Sequence, residues 1–286
     1  MQPLFEHGLT FAGYSTRVLE LEGDGPPLVF FHGFSDSADT WRATLANLGR
    51  LDRRAVAVDM PGFGKASQLK PGKVLPQLDR FGEAVASYAA PDGGAIVVGN
   101  SLGGCLALRL GERDELGLEG IVPVAPAGLD MARWLRIIEA HPLIQGILRS
   151  PVRVPESVLR ATVAEVYKRL AFHRPRDIDP RVASTFASHF ADRATTGRLL
   201  GTGRRLLPEL RDCLAPERID CPLLMVWGER DVMVFPTGAQ RVLDAVEGSR
   251  LVTLDRCGHS PQIERPDQLA DLVLEFPASL ADATTS

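Results

Sequence analysis

Features that would narrow the reading of this chain at once are scarce or missing. Cysteine is rare, and Cys105, Cys213, Cys221 and Cys257 stand far apart with no C-x-x-C pair among them. That argues against a disulfide framework or a cysteine-rich metal site, and makes a reducing cytoplasm the simplest setting. No apolar run approaches the roughly 18 residues that a membrane span needs. The opening Met1-Gln2-Pro3-Leu4-Phe5-Glu6-His7 has no basic stretch followed by an apolar core, so a signal peptide is not expected. Positive charge is not in excess. The net charge of -4 and pI of about 5.9 argue against nucleic acid or an anionic membrane as the main partner. Arg204-Arg205 does not grow into a longer basic run. There is no internal repeat and no low-complexity tract.

What is present is the composition of a globular protein, with 45% hydrophobic and 24% charged residues over 286 positions. A chain of that length folded as one domain buries roughly 75% of its unfolded surface, enough to hold without covalent staples. Leu28-Val29-Phe30-Phe31, Ala55-Val56-Ala57-Val58 and Ala95-Ile96-Val97-Val98 are short apolar runs that read as strands buried on both faces. Between them, residues 39–48 (Trp41, Leu45, Leu48) and 76–89 (Leu78, Phe81, Val85, Tyr88) carry apolar residues at helical spacing. The rhythm resumes with strands at 223–227 and 251–254 and a helix over 237–247 between them. A last helix starts at Pro266, with Leu269, Leu272, Val273 and Phe276 on one stripe. Residues beyond about 278 read as frayed. Alternating strands and helices predict an α/β fold with a mostly parallel sheet covered on both faces.

From about 127 to 216 the strand signals stop. Leu159, Val163, Val166 and Leu170 fall at i, i+4, i+7 and i+11, one face of a helix. Asp179-Pro180 makes a cap-and-first-turn pair ahead of Val182, Phe186 and Phe190. The expected organisation is therefore an α/β core over 1–126 and 217–286, interrupted by a helical cap over 127–216. A separate helical domain is the alternative. Strands on both sides of the insertion must rejoin one sheet, which favours the cap.

The chemistry begins at Gly99-Asn100-Ser101-Leu102-Gly103-Gly104, after one predicted strand and before a helical run from Cys105 to Leu110. This is G-x-S-x-G in the strand–turn–helix setting of a nucleophile elbow. Side chains two residues either side of the serine would collide in so tight a turn, which explains Gly99 and Gly103. A glycine-rich turn can also be only a turn. A serine nucleophile needs a base, and the base an orienting acid, in the chain order Ser, Asp or Glu, His. Asp231 and His259 follow in that order, each just past a predicted strand. Groups beyond the carboxyl ends of parallel strands share one crevice. Glu229 is a rival acid, but it stands too near the strand end.

These segments resemble the α/β-hydrolase superfamily. Its members carry an H-G loop, a D-x-P-G-x-G loop, the G-x-S-x-G elbow, a W-G-x-x-D acid and a G-H-x-P-x-x-E-x-P segment. Here they read His32-Gly33-Phe34, Asp59-Met60-Pro61-Gly62-Phe63-Gly64, the elbow, Trp227 to Asp231, and Gly258 to Pro266. The resemblance runs from about 28 to 276 and is weakest in the cap. It implies an oxyanion hole made by the backbone N–H groups of Phe34 and Leu102, with His32 bracing the loop beside Gly33. No cofactor or metal is called for. Gly62-Phe63-Gly64-Lys65 lacks the serine or threonine of a phosphate loop, since Ala66 stands there, and Ser67 occupies the third-glycine position of a dinucleotide fingerprint. His7, His141, His173 and His189 match no motif and read as surface or cap residues.

The leading expectation is cleavage of carboxylic esters of small, fairly apolar substrates through an acyl-enzyme on Ser101. A carbon–carbon bond hydrolase of ring-cleavage diketones is the competitor, since Asn100 and Gly103-Gly104 resemble that branch. Against it, Ser260 stands where those enzymes usually have tryptophan, and Arg193, Arg198, Arg204 and Arg205 offer no single candidate for their cap arginine. A ligand-binding receptor on the same fold is a third possibility.

Overall fold

The computed structural model describes residues 2–131, 155–179, 182, 186 and 193–283. Eight strands form one sheet: β1 (Phe5–Phe11), β2 (Tyr14–Leu21), β3 (Asp24–Phe31), β4 (Arg53–Val58), β5 (Ile96–Asn100), β6 (Gly120–Val124), β7 (Leu224–Gly228) and β8 (Arg250–Leu254). Their spatial order is β1-β2-β4-β3-β5-β6-β7-β8. β1 pairs antiparallel with β2, and β2 antiparallel with β4; the rest of the sheet is parallel. The fold is thus the expected α/β architecture with an antiparallel addition at one edge.

Each parallel strand feeds both layers because successive side chains leave opposite faces. Val29, Phe31, Val56, Val58 and Val97 join one core with helices α2 (Leu75–Ala89) and α3 (Leu102–Gly111). Leu28, Phe30, Ala55, Ala57, Ile96 and Val98 join the other with α1 (Arg42–Leu48). In β5, β6 and β7 every residue is buried, which is why those runs are apolar rather than alternating, apart from Asn100 at the end of β5.

Between β6 and β7 the described residues include two long helices, α4 (Glu156–Ala171) and α5 (Arg193–Glu209). Leu199, Leu206 and Leu210 of the α5 region are buried in the first core. The end of α5 is anchored by its acid: the Glu209 carboxylate accepts the N–H groups of Val74 (2.8 and 3.0 Å) and Leu75 (2.9 Å), the orphan donors that open α2. Arg205 donates to the carbonyls of Lys70 and Gly72. After β7 come α6 (Gln240–Leu243), α7 (Pro261–Glu264) and α8 (Pro266–Ala283). The α8 stripe of Leu269, Val273 and Phe276 is fully buried in the second core.

Several expectations need correction. β1, β2 and β6 were not foreseen. In β1, residues 5–10 are exposed or half-buried, so no run of apolar residues marks it. The helix expected over 237–247 is a single 3-10 turn followed by the short α6. α8 continues to Ala283 rather than ending near 278. In α4 the expected inward face is wrong at Val166, which is 43% exposed. Tyr167 turns inward instead, stacked on Phe186 with ring centroids 3.5 Å apart and edge-on to Phe172 at 5.4 Å. The side chains of Leu159, Val163 and Arg193, and all of Pro180, Phe190, His141 and His189, lie outside the described residues.

Candidate active site

Ser101 occupies the turn between β5 and α3 with φ 55° and ψ -110°. A non-glycine residue in that region is strained, and strain of this kind gathers at functional sites. The close packing around it explains two glycines. A Cβ on Gly99 would fall 2.1 Å from the carbonyl oxygen of Gly103, and one on Gly103 would fall 2.1 Å from that of Phe31. Backbone crosses backbone here with room only for hydrogen. The Ser101 N–H donates to Val124 O (2.9 Å), while its own carbonyl accepts from Cys105 (2.9 Å) and Ala127 (2.9 Å). The turn is therefore sewn to the end of β6.

Asp231 and His259 meet. His259 Nδ1 and Asp231 Oδ2 are 2.7 Å apart, with the carboxylate side chain wholly buried and the imidazole nearly so. The other carboxylate oxygen, Oδ1, accepts the N–H groups of Met233 (2.8 Å) and Val234 (3.0 Å). Both oxygens are acceptors and Nδ1 is the donor, which leaves Nε2 with its lone pair. Glu229 is exposed beside Arg230 and takes no part.

The histidine loop is held from several directions. The His259 N–H donates to Ala171 O (2.8 Å) at the end of α4. Glu264 bridges the same two elements, accepting from Gly258 N (2.6 Å) through Oε1 and His173 N (2.9 Å) through Oε2. Burial raises its carboxyl above the ordinary range, against those hydrogen bonds. Asn100, adjacent to the serine, donates from Nδ2 to His259 O (3.0 Å) and Val124 O (3.3 Å), and its Oδ1 accepts from Gln262 Nε2 (3.1 Å). One amide thus links the ends of β5 and β6 to the loop after β8.

On the other side lies the loop after β3. A Cβ built on Gly33 would be 3.5 Å from Ser101 Cβ and from Asn100 Oδ1, so this loop abuts the elbow. Leu102 opens α3, where the first N–H groups have no partner within the helix. His32 is buried, with Nδ1 2.7 Å from Gly33 O and Nε2 accepting from Met60 N at 2.8 Å. Its ring spans the loops after β3 and β4. Beneath it Asp59 accepts from Arg17 Nε (3.0 Å) and Nη2 (3.1 Å), Ala38 N (2.7 Å) and Lys65 N (2.8 Å). Arg17 also grips Asp39 (3.0 and 2.8 Å).

Two polar residues near the site give no signal in the sequence. Asp36 follows the H-G loop and accepts the Ser37 N–H (2.8 Å). It is half-buried. Burial pushes its carboxyl up to about 7, and the Asp59 and Asp39 carboxylates add to the rise. The second is Tyr167 of α4, whose hydroxyl hydrogen-bonds with Ser260, next to His259. Burial, and then the Asp36 charge, raise the phenol further above its ordinary range. Only their arrival from remote parts of the chain brings them together. Among the described residues no cluster could hold a metal ion, and no helix is long and apolar enough to cross a membrane.

A strand–serine–helix elbow, a buried histidine–aspartate pair and this sheet order define a hydrolase. The chain matches the model of the alpha/beta hydrolase family over residues 28–272 and belongs to that family. It is similar to a 2-hydroxy-6-oxo-6-(2'-aminophenyl)hexa-2,4-dienoic acid hydrolase of Metapseudomonas resinovorans, at 27% identity over 98% of this chain and 93% of the relative. A monoacylglycerol lipase of Mus musculus is 25% identical over 90% of this chain and 77% of its own. In fold it resembles the crystal structure of a serine hydrolase involved in carbazole degradation, with TM-score 0.77 and 24% identity, covering 96% of this chain and 99% of the other.

Proposed function

We propose that this hydrolase cleaves carboxylic esters of small, fairly apolar substrates through an acyl-enzyme on Ser101. The observation that carries the reading is the 2.7 Å Asp231–His259 pair beside the strained Ser101 turn. In this reading His259 Nε2 takes the Ser101 proton as Oγ attacks the ester carbonyl. The N–H groups of Phe34 and Leu102 receive the developing oxyanion, a contribution of about 10²–10³ in rate per donor in comparable sites. His259 then returns the proton to the leaving alcohol, and water repeats the sequence on the acyl-enzyme. Asp231 holds the imidazole in the required tautomer and stabilises its protonated form. His32, Gly33, Gly99, Asn100 and Gly103 position these groups. Residues 127–216, interrupting the core of 1–126 and 217–286, act as a cap that shapes the pocket.

One observation favours an ester over the ring-cleavage diketone, although the relative from Metapseudomonas resinovorans supports the latter. The diketone named for that relative is a carboxylic acid, which a cationic side chain in the site would have to meet. Of the four candidate cap arginines, the side chain of Arg193 lies outside the described residues, Arg198 and Arg204 are exposed, and Arg205 is turned onto the carbonyls of Lys70 and Gly72. A fluorophosphonate probe followed by peptide mapping tests the nucleophile, and p-nitrophenyl esters against a ring-cleavage diketone test the substrate. Labelling at Ser101 with ester turnover is expected. Turnover of the diketone alone would establish the carbon–carbon reading, and labelling with neither would point to a receptor.

A further inference from the structure

Cys105 and Cys213 are 108 residues apart in the chain, yet their sulfurs lie 3.7 Å from each other, in van der Waals contact. Cys105 is fully buried on α3, one turn beyond Ser101, and its N–H donates to the Ser101 carbonyl (2.9 Å). Cys213 lies just past the end of α5, after a left-handed turn at Asp212 (φ 51°), and is half-buried. The two thiols therefore straddle the junction between the nucleophile helix and the exit of the 127–216 segment. The junction is rigid on both sides. Arg109 of α3 donates to the Cys213 carbonyl and is itself clamped by Asp79 (2.8 and 2.6 Å). Glu112, capping α3, accepts from Ala215 N (2.7 Å).

We propose that Cys105 and Cys213 form a modification site for small-molecule disulfides, which convert the pair into an intramolecular bond tying α3 to the cap exit. A bonded pair needs about 2.05 Å between sulfurs, so the two must close by about 1.7 Å. The chemistry is asymmetric. Cys105 is fully buried whereas Cys213 is only half-buried, so Cys213 is the thiol that a small disulfide can reach; the hydrogen bond from Cys105 and the Arg109 guanidinium also hold it below its ordinary range. Contact with Cys213, together with burial, keeps Cys105 well above its own. Burial likewise pushes Cys221 up to about 11 and raises Cys257 further still, which leaves them slow. Cys213 Sγ attacks one sulfur of the small disulfide and releases the first small thiol. Cys105 then loses its proton and attacks Cys213 Sγ, and the second small thiol leaves. Two protein thiols are oxidised by two electrons and one small disulfide is reduced to two thiols.

The test incubates the whole protein with oxidised glutathione at pH 8, then unfolds it at acid-quenched pH, blocks the remaining free thiols with N-ethylmaleimide in denaturant and maps peptides without reduction. The expected result is a Cys105–Cys213 cross-linked peptide with no retained glutathione, and maleimide on Cys221 and Cys257. Because the bond closes a long loop, Tm rises by about 5 °C or more and falls back with dithiothreitol. Cys213→Ser takes up no glutathione and forms no cross-link. Cys105→Ala leaves glutathione on Cys213. Glutathione persisting on wild-type Cys213, a cross-link between any other pair, or four unmodified thiols would overturn the proposal.

Discussion

Replacing Asp231 by asparagine separates geometry from charge at the proposed site. The amide has the same shape as the carboxylate but one oxygen and one NH₂ where the acid has two acceptors. Two backbone donors, Met233 N at 2.8 Å and Val234 N at 3.0 Å, converge on Oδ1. Turning the NH₂ toward them would set three donors against one another, at a cost of about 1–3 kcal/mol for each unmade bond. The amide oxygen must therefore stay there, and the NH₂ must face His259 at 2.7 Å. Nδ1 then has to accept, the ring proton moves to Nε2, and the nitrogen proposed to take the Ser101 proton ceases to be a base. We expect kcat on p-nitrophenyl butyrate to fall by about 10³–10⁴, with unfolding in urea little changed. His259→Ala should fall at least as far, and adding Asp231→Asn to it should cost almost nothing more, since the two act as a unit. Fully multiplicative losses would refute the reasoning, because they would mean that Asp231 works independently of His259.

Four further outcomes are expected. Ser101→Ala should lose about 10⁴ or more in kcat while keeping the wild-type urea midpoint; retention of a tenth of the activity would remove the serine from the mechanism. Gly99→Ala should destabilise by more than about 4 kcal/mol or prevent soluble expression, because the new Cβ meets backbone at 2.1 Å. Arg17→Met strands the wholly buried Asp59 carboxylate and should cost about 3–5 kcal/mol in a denaturant titration. Asp36 binds its proton more tightly folded than unfolded, so its contribution to stability is full below about pH 4 and lost as pH rises toward 7. Asp36→Asn should accordingly flatten the fall in Tm between pH 5 and pH 8, and an unchanged pH profile would contradict the placement of Asp36.

Much of the fold was written locally. Runs such as 28–31 and 95–98 are apolar throughout because parallel strands are buried on both faces, and that constraint leaves its mark residue by residue. The elbow was equally legible, since Gly99 and Gly103 are required by backbone approaching backbone within a few residues of Ser101. The order Ser101, Asp231, His259 and their places after strands followed from the same rhythm. β1 was hidden because its half-solvated residues carry no such mark. Val166 misled because helical spacing names a stripe without saying which neighbour will cover it, and Tyr167 found the partners. Only the tertiary structure decided that Asn100 reaches the His259 loop, that Glu264 joins that loop to the end of α4, that the Tyr167 hydroxyl meets Ser260, and that Cys105 touches Cys213. Each of these is a single contact between groups brought from separate parts of the fold. A contact of that kind repeats with no period along the chain, so it exists only once the sheet and its helices have set the distance.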